Sequence, residues 1–131
     1  MGNVTTYNAK DVVVTVDGVF ITGLGEDMVS GEKDEDNASV VVGAQGDVVV
    51  NETNNDLGTI TLTVQGTSPQ LPLLKNLART KQIIPVWVNN KALNEKMGGS
   101  KAIIKKTPSI EYGAELADRE IEIQVMDYTV E

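Results

Sequence analysis

Between residues 59 and 65 the chain reads Thr-Ile-Thr-Leu-Thr-Val-Gln, an unbroken alternation that places Ile60, Leu62 and Val64 on one side and Thr59, Thr61, Thr63 and Gln65 on the other. A period of two is the pattern of a β-strand with one buried face and one polar, uncharged face. A slip of one residue would turn every apolar side chain out, so the pattern fixes register as well as type. Residues 12–21 repeat the theme. Val12, Val14 and Val16 alternate, Asp17-Gly18 suits the two positive-φ positions of a type I′ turn, and Val19 and Ile21 continue on the return strand. A two-residue loop pairs Val16 with Val19 and Val14 with Ile21, which sets five apolar side chains on one core-facing side. The opposite side, Val13, Thr15, Phe20 and Thr22, is too apolar for an ordinary wet surface and implies either a second buried layer or a contact with another subunit.

The rest of the chain reads as further strands around one helix. Residues 39–42 and 48–50 form two short strands about Gly43-Ala44-Gln45-Gly46. Ser68 followed by Pro69 predicts a helix start, and Leu71, Leu74, Leu77 and Ala78 make one apolar stripe of a short helix over 68–79. Residues 83–88 form a strand in which Pro85 marks either a sheet edge or the strand's beginning. Residues 91–99 are loop-like, 100–106 form another strand and 119–130 the last. In that last segment Ile121, Ile123 and Val125 oppose Glu120, Glu122 and Gln124, while Met126, Tyr128 and Val130 turn the second face apolar. A face that changes character along its length meets two environments: solvent or a lumen near Glu122, and a neighbouring subunit near Tyr128. The expected fold is mainly β, two packed antiparallel sheets with one helix, in a single domain over 1–131. An N-terminal arm (1–9) and a long acidic loop (23–38) extend from it, and so long a loop on a compact domain implies reach toward another protein.

The 131 residues have room for a core, but one Trp, one Phe and three Tyr make that core aliphatic, and the abundance of β-branched residues favours strands. Without Cys or His the chain lacks thiolates, imidazole bases, disulfides and the commonest transition-metal ligands. The lack of disulfides and of a signal peptide reads as a soluble cytosolic product. A net charge of −8, from 19 acidic and 11 basic side chains, argues against neutralising nucleic-acid phosphates. That charge is uneven: Glu26, Asp27, Glu32, Asp34, Glu35 and Asp36 crowd one segment, while Lys101, Lys105 and Lys106 share another. Opposed patches of this kind suit copies that meet head to tail.

Candidate chemical motifs do not hold. Asp34 and Asp36 start an EF-hand spacing, but Ala38, Ser39 and Gln45 stand where an oxygen ligand, Gly and Glu are needed, which leaves a solvated acidic loop and no assigned metal. Gly23-Leu24-Gly25 begins a dinucleotide fingerprint without its sixth residue or a βαβ unit. Glu120 and Glu122 point the same way from one strand and lack an apolar pocket, so an electrostatic role outweighs an acid–base pair. Trp87 reads as a core or interface anchor. No nucleophile, base and orienting group can be named together, so neither a catalytic site nor a cofactor site is assigned.

Several segments in fixed order resemble the tail tube proteins of contractile-tailed phages and related phage tail-like bacteriocins. They are Tyr7-Asn8-Ala9-Lys10-Asp11, Val16-Asp17-Gly18-Val19, Gly25-Glu26-Asp27-Met28-Val29, Gly43-Ala44-Gln45-Gly46-Asp47 and Leu57-Gly58-Thr59-Ile60-Thr61-Leu62-Thr63-Val64-Gln65. The likeness continues through Pro85-Val86-Trp87-Val88, Met97-Gly98-Gly99-Ser100-Lys101-Ala102 and Asp127-Tyr128-Thr129-Val130-Glu131. The resemblance implies a homo-oligomer of stacked hexameric rings forming a hollow tube, with sheath, baseplate, tail terminator and tape measure proteins as partners. DNA would pass without sequence-specific binding. It also implies assembly in the bacterial host cytoplasm, followed by residence in a virion tail or released particle, and no cofactor. In the tube that the resemblance implies, the polar faces make Glu120 and Glu122, or Thr59, Thr61 and Thr63, the lumen candidates. Glu26, Asp27, Glu32, Asp34, Glu35, Asp36, Phe20, Tyr128 and Val130 are the inter-subunit candidates. A monomeric β-sandwich binding or adhesion module is the competing reading, and it predicts a stable monomer with a ligand groove.

Overall fold

The described residues form ten strands, one α-helix and a short 3-10 turn at Ala9–Asp11. The structure, a computed structural model, describes residues 4–131, so the first three residues of the expected N-terminal arm lie outside it. The strands are β1 (Val12–Val16), β2 (Val19–Phe20), β3 (Leu24–Lys33), β4 (Ala38–Val42), β5 (Val48–Glu52), β6 (Gly58–Val64), β7 (Ile84–Asn90), β8 (Glu95–Ile104), β9 (Arg119–Val125) and β10 (Thr129–Val130), with helix α1 (Leu71–Thr80) between β6 and β7. Two antiparallel sheets result. The larger has eight strands in the order β2-β1-β7-β8-β9-β6-β3, with β10 added beside β8, and the smaller is the β4–β5 ribbon. Val12 of β1 and Val29 of β3, near opposite ends of the strand order, line one open pocket of about 200 Å³ with Val88, Met97 and Val130 and a polar rim of Asn90, Glu95 and Lys96, so the large sheet bends over on itself.

The core is aliphatic, as the composition requires. Val14, Val16, Ile60, Leu62, Val64, Val86, Ile121, Ile123 and Val125 are buried from the sheet, and α1 lays Leu71, Leu74, Leu77 and Ala78 onto them. Fully burying each such side chain contributes about 1.5–3 kcal/mol. The β1–β2 turn takes positive φ at both Asp17 and Gly18, and Val16 pairs with Val19 as the loop length demands. Of the five residues expected on its core face, Val19 departs: β2 is two residues long and ends the sheet, so Val19 is partly exposed. On the other face Phe20 is exposed, so no second layer within the subunit covers it.

Three expectations are corrected. The segment 23–38 is not a loop throughout, for β3 pairs with β6 from Val29 to Lys33, and only the stretch between Leu24 and Val29 bulges out of register. Its exposed acids hide the strand, since β3 is made by main-chain pairing at a sheet end and not by alternation. The loop-like stretch 91–99 likewise contains the start of β8 from Glu95. Gly98 masks it: its φ is +135°, and a Cβ there would fall 2.1 Å from the Val86 carbonyl oxygen, beside the bulge where β8 slips against β7. Finally, α1 begins at Leu71 with Pro72 in its first turn. Ser68 does not cap it; its hydroxyl donates instead to the Thr22 carbonyl at 2.6 Å, and Gln70 accepts from the Thr22 amide and hydroxyl at 2.8 Å each. Those bonds stitch the entry to the helix onto the end of the first hairpin. Pro85 lies near the start of an interior strand, and its carbonyl accepts from the Asp17 amide at 2.8 Å.

Candidate assembly surfaces

The alternation that buries Ile60, Leu62 and Val64 sends Thr59, Thr61 and Thr63 to the other face of β6. Cross-strand pairing then aligns Thr59 with Gln124, Thr61 with Glu122 and Thr63 with Glu120, so all five lumen candidates share one polar surface. β3 extends it, setting Glu32 opposite Thr59 and Ser30 opposite Thr61. Four carboxylates, from Glu32, Asp34, Glu120 and Glu122, thus stand on or beside a hydroxyl-dressed wall. Lys105 approaches Glu122 at 4.0 Å in an exposed pair that contributes little. Such a wall disfavours polyanions and offers few groups that would hold one.

Asp34 reaches across this wall. Its carboxylate accepts from the Thr59 hydroxyl at 2.7 Å and from Gln124 Nε2 at 2.9 Å. The Thr59 bond first, and then the Gln124 bond, hold its pKa below the ordinary carboxylate value. Asp127 is lowered in the same way, chiefly by the Ser100 hydroxyl and further by the Lys101 and Ser100 amides.

The β4–β5 ribbon is built differently from everything else. Val40 pairs with Val50, Val41 with Val49 and Val42 with Val48, so Val40, Val42, Val48 and Val50 share one face while Val41 and Val49 occupy the other. All six are between 54% and 64% exposed. A two-stranded ribbon with apolar side chains on both faces and no cover is not a stable surface for a lone domain in water. These valines were missed as interface candidates. The signal was present in two Val-Val-Val runs flanking a Gly-Ala-Gln-Gly-Asp turn, because a strand apolar on both faces needs cover on both.

The other expected contact residues scatter. Glu26 and Asp27 lie in the β3 bulge, Glu35 and Asp36 lie in the turn into β4, and all four are exposed along with Glu32 and Asp34. Phe20 and Val130 are exposed on the two-residue strands β2 and β10. Tyr128 is corrected. It is only 8% exposed, and its ring lies against Gly58, where an added Cβ would come within 2.2 Å of it. Its hydroxyl sits 3.6 Å from Met97 Sδ, so the side chain belongs to the subunit's own core and leaves little surface for a neighbour.

A folded-over antiparallel sheet thus carries an acidic polar wall and an apolar ribbon left bare on both faces. The chain belongs to the bacteriophage PhiTE tail tube protein family, whose sequence profile matches residues 4–115. Its structure is similar to a chain of the sheath–tube complex of the extracellular contractile injection system PVC in the extended state, with a TM-score of 0.68 and 14% identity over 96% of this chain and 91% of that one. A chain of the PVC sheath/tube terminator aligns at 0.66 with 16% identity, covering 99% of both. A chain of the anti-feeding prophage cap aligns at 0.61 with 13% identity over 100% of this chain and 94% of the other. At these identities the likeness is one of fold. No match was found among curated proteins. The expected family, and the mainly β fold with one helix, therefore hold.

Proposed function

We propose that the chain is the inner tube subunit of a contractile phage tail or tail-like bacteriocin, closing into hexameric rings that stack into a hollow tube. The observation that carries this reading is the exposure of valines on both faces of the β4–β5 ribbon, which calls for the cover that neighbouring copies would supply. The open edges at β2 and β3 support it, since closure around a ring satisfies strand edges that a monomer leaves bare. In this arrangement Thr59, Thr61, Thr63, Glu120 and Glu122 line the channel, so that DNA slides past without adhering or an empty tube pierces the target envelope. Sheath, terminator, baseplate and tape measure proteins are the partners of such a tube. It assembles in the bacterial cytoplasm and ends in the virion or released particle.

Negative-stain electron microscopy of the concentrated protein, alongside lysate from producing cells with the chain identified by mass spectrometry, tests this. Hollow rods or six-fold rings containing the chain are expected. Monodisperse particles in the first sample, with no tail-like particle carrying the chain in the second, would overturn the reading in favour of a monomeric binding module.

A further inference from the structure

The ribbon that carries the proposed assembly has almost no apolar attachment to its own subunit. Its valines are exposed on both faces, and it makes no ladder with the large sheet. Its direction is therefore set at its root, where the chain leaves β3 and returns to β6, and that root is polar. The Asp34 amide donates to the Leu57 carbonyl at 3.0 Å and the Thr53 amide to the Asn37 carbonyl at 2.8 Å, which ties the outgoing strand to the returning one. Lys33 Nζ donates to the Asn37 side-chain oxygen and lies 4.0 Å from the Asp56 carboxylate. These bonds hold the two legs together, and the Tyr128 amide, donating to the Asp56 carbonyl at 3.0 Å, ties the returning leg to the body of the subunit.

The Asp34 carboxylate makes the matching side-chain connection for the outgoing leg. One oxygen accepts from Thr59 at the start of β6 and the other from Gln124 near the end of β9, and Gln124 Nε2 also donates to the Gly58 carbonyl at 2.9 Å. Thr59 and Gln124 are cross-strand partners, so one side chain spans two adjacent strands of the large sheet. A carboxylate held by two donors on a rigid ladder has a fixed orientation, and Asp34 is the first residue after β3.

We infer that Asp34 is a positioning residue for assembly: by bridging Thr59 and Gln124 it fixes the angle at which the β4–β5 ribbon leaves the sheet, and so presents the valines to the neighbouring copy. The inference rests on the ribbon's being the assembly contact, as proposed above. It assigns Asp34, counted among residues that touch another subunit, to a bond within its own. Two ends of the same molecule are thereby coupled, because the residues that hold the ribbon also belong to the polar wall proposed to line the channel. A pre-oriented ribbon saves on association the ordering cost that a swinging one incurs.

Three measurements test it on the full chain. Cysteines introduced at Asp47 and Lys91 are the only thiols, so a spin-label pair there reports the ribbon's position relative to the large sheet. Asp34→Ala should broaden that distance distribution and raise the critical concentration for rod formation about tenfold, equivalent to about 1.4 kcal/mol. The urea midpoint of the unassembled subunit should fall only slightly, by less than the assembly defect requires. Thr59→Val, which removes the first donor from the other side, should act in the same direction, and Asp34→Asn, which still accepts from Thr59, should recover part of the loss. An unbroadened distance with wild-type assembly in Asp34→Ala would overturn the inference. So would a fall in the subunit's own midpoint large enough to account for the assembly defect. If the unsubstituted protein forms no rods and is absent from tail-like particles, the tube reading fails, yet the label distances still decide whether Asp34 fixes the ribbon.

Discussion

β6 and the β4–β5 ribbon are both antiparallel, both rich in β-branched residues, and opposite in fate. In β6 every second residue is apolar, and Ile60, Leu62 and Val64 are sealed in the core. In the ribbon consecutive residues are apolar, and no periodicity can hide them behind one sheet. Composition is thus a poor guide to where a valine will be buried, whereas spacing separates a strand that completes its own subunit from one left bare on both faces.

Charge on the ribbon should break this contrast most sharply. Val41→Asp with Val49→Asp is expected to abolish rods in electron micrographs while moving the subunit's unfolding free energy by no more than about 0.5 kcal/mol, the usual range for exposed sites. The reverse pattern belongs to the core. Leu62→Ala should cost about 2–5 kcal/mol and Tyr128→Ser about 3–5 kcal/mol in urea unfolding of the subunit, with assembly lost only as far as folding is lost. If Tyr128→Ser instead spares stability and blocks rods, Tyr128 returns to the list of contacts.

A smaller effect sharpens the boundary between the two regions. Arg119 is 3% exposed, donates to the Ala117 carbonyl at 2.5 Å and faces the Tyr112 ring at 5.6 Å, but its Nε has no partner among the described residues. Replacing a buried, incompletely satisfied cation with an apolar side chain of similar length is often neutral or stabilising, so Arg119→Met should keep or raise the thermal midpoint. The smallest effect is an acid one. Asp127 titrates lower in the folded chain than unfolded, so its contribution is present above about pH 4 and fades as pH falls through the lowered folded value. Ser100→Ala removes the main cause, and the loss of stability between pH 4 and the acid limit should become shallower in equilibrium unfolding.

What could be read from the sequence followed the strength of local pattern. The first hairpin, β6, the apolar stripe of α1 and the inward face of β9 were legible because a fixed period and one turn dipeptide specify them. β3 was not, since Glu26, Asp27, Glu32 and the glycines at 25 and 31 carry no alternation, and its pairing with β6 is a main-chain event. Tyr128 was misread for a different reason. The space its ring fills is made by Gly58, seventy positions earlier, and a vacancy of that kind leaves no mark near the tyrosine. The lumen candidates share one face because strand parity places them; the ribbon's bareness was less legible, because a Val-Val-Val run reads equally as a strand buried on both faces.

The same ribbon poses a difficulty before any tube exists. Six uncovered valines on strands with unpaired outer edges are a template for indiscriminate sheet growth as well as for ordered assembly. Acidic residues bracket them: Glu35 and Asp36 before β4, Asp47 in the turn, Glu52 at the end of β5. In a chain of net charge −8 these are placed as gatekeepers would be: two ribbons meeting face to face would repel, and a less acidic partner surface would not. Solubility of the free subunit and selectivity of the finished polymer would then come from the same four carboxylates.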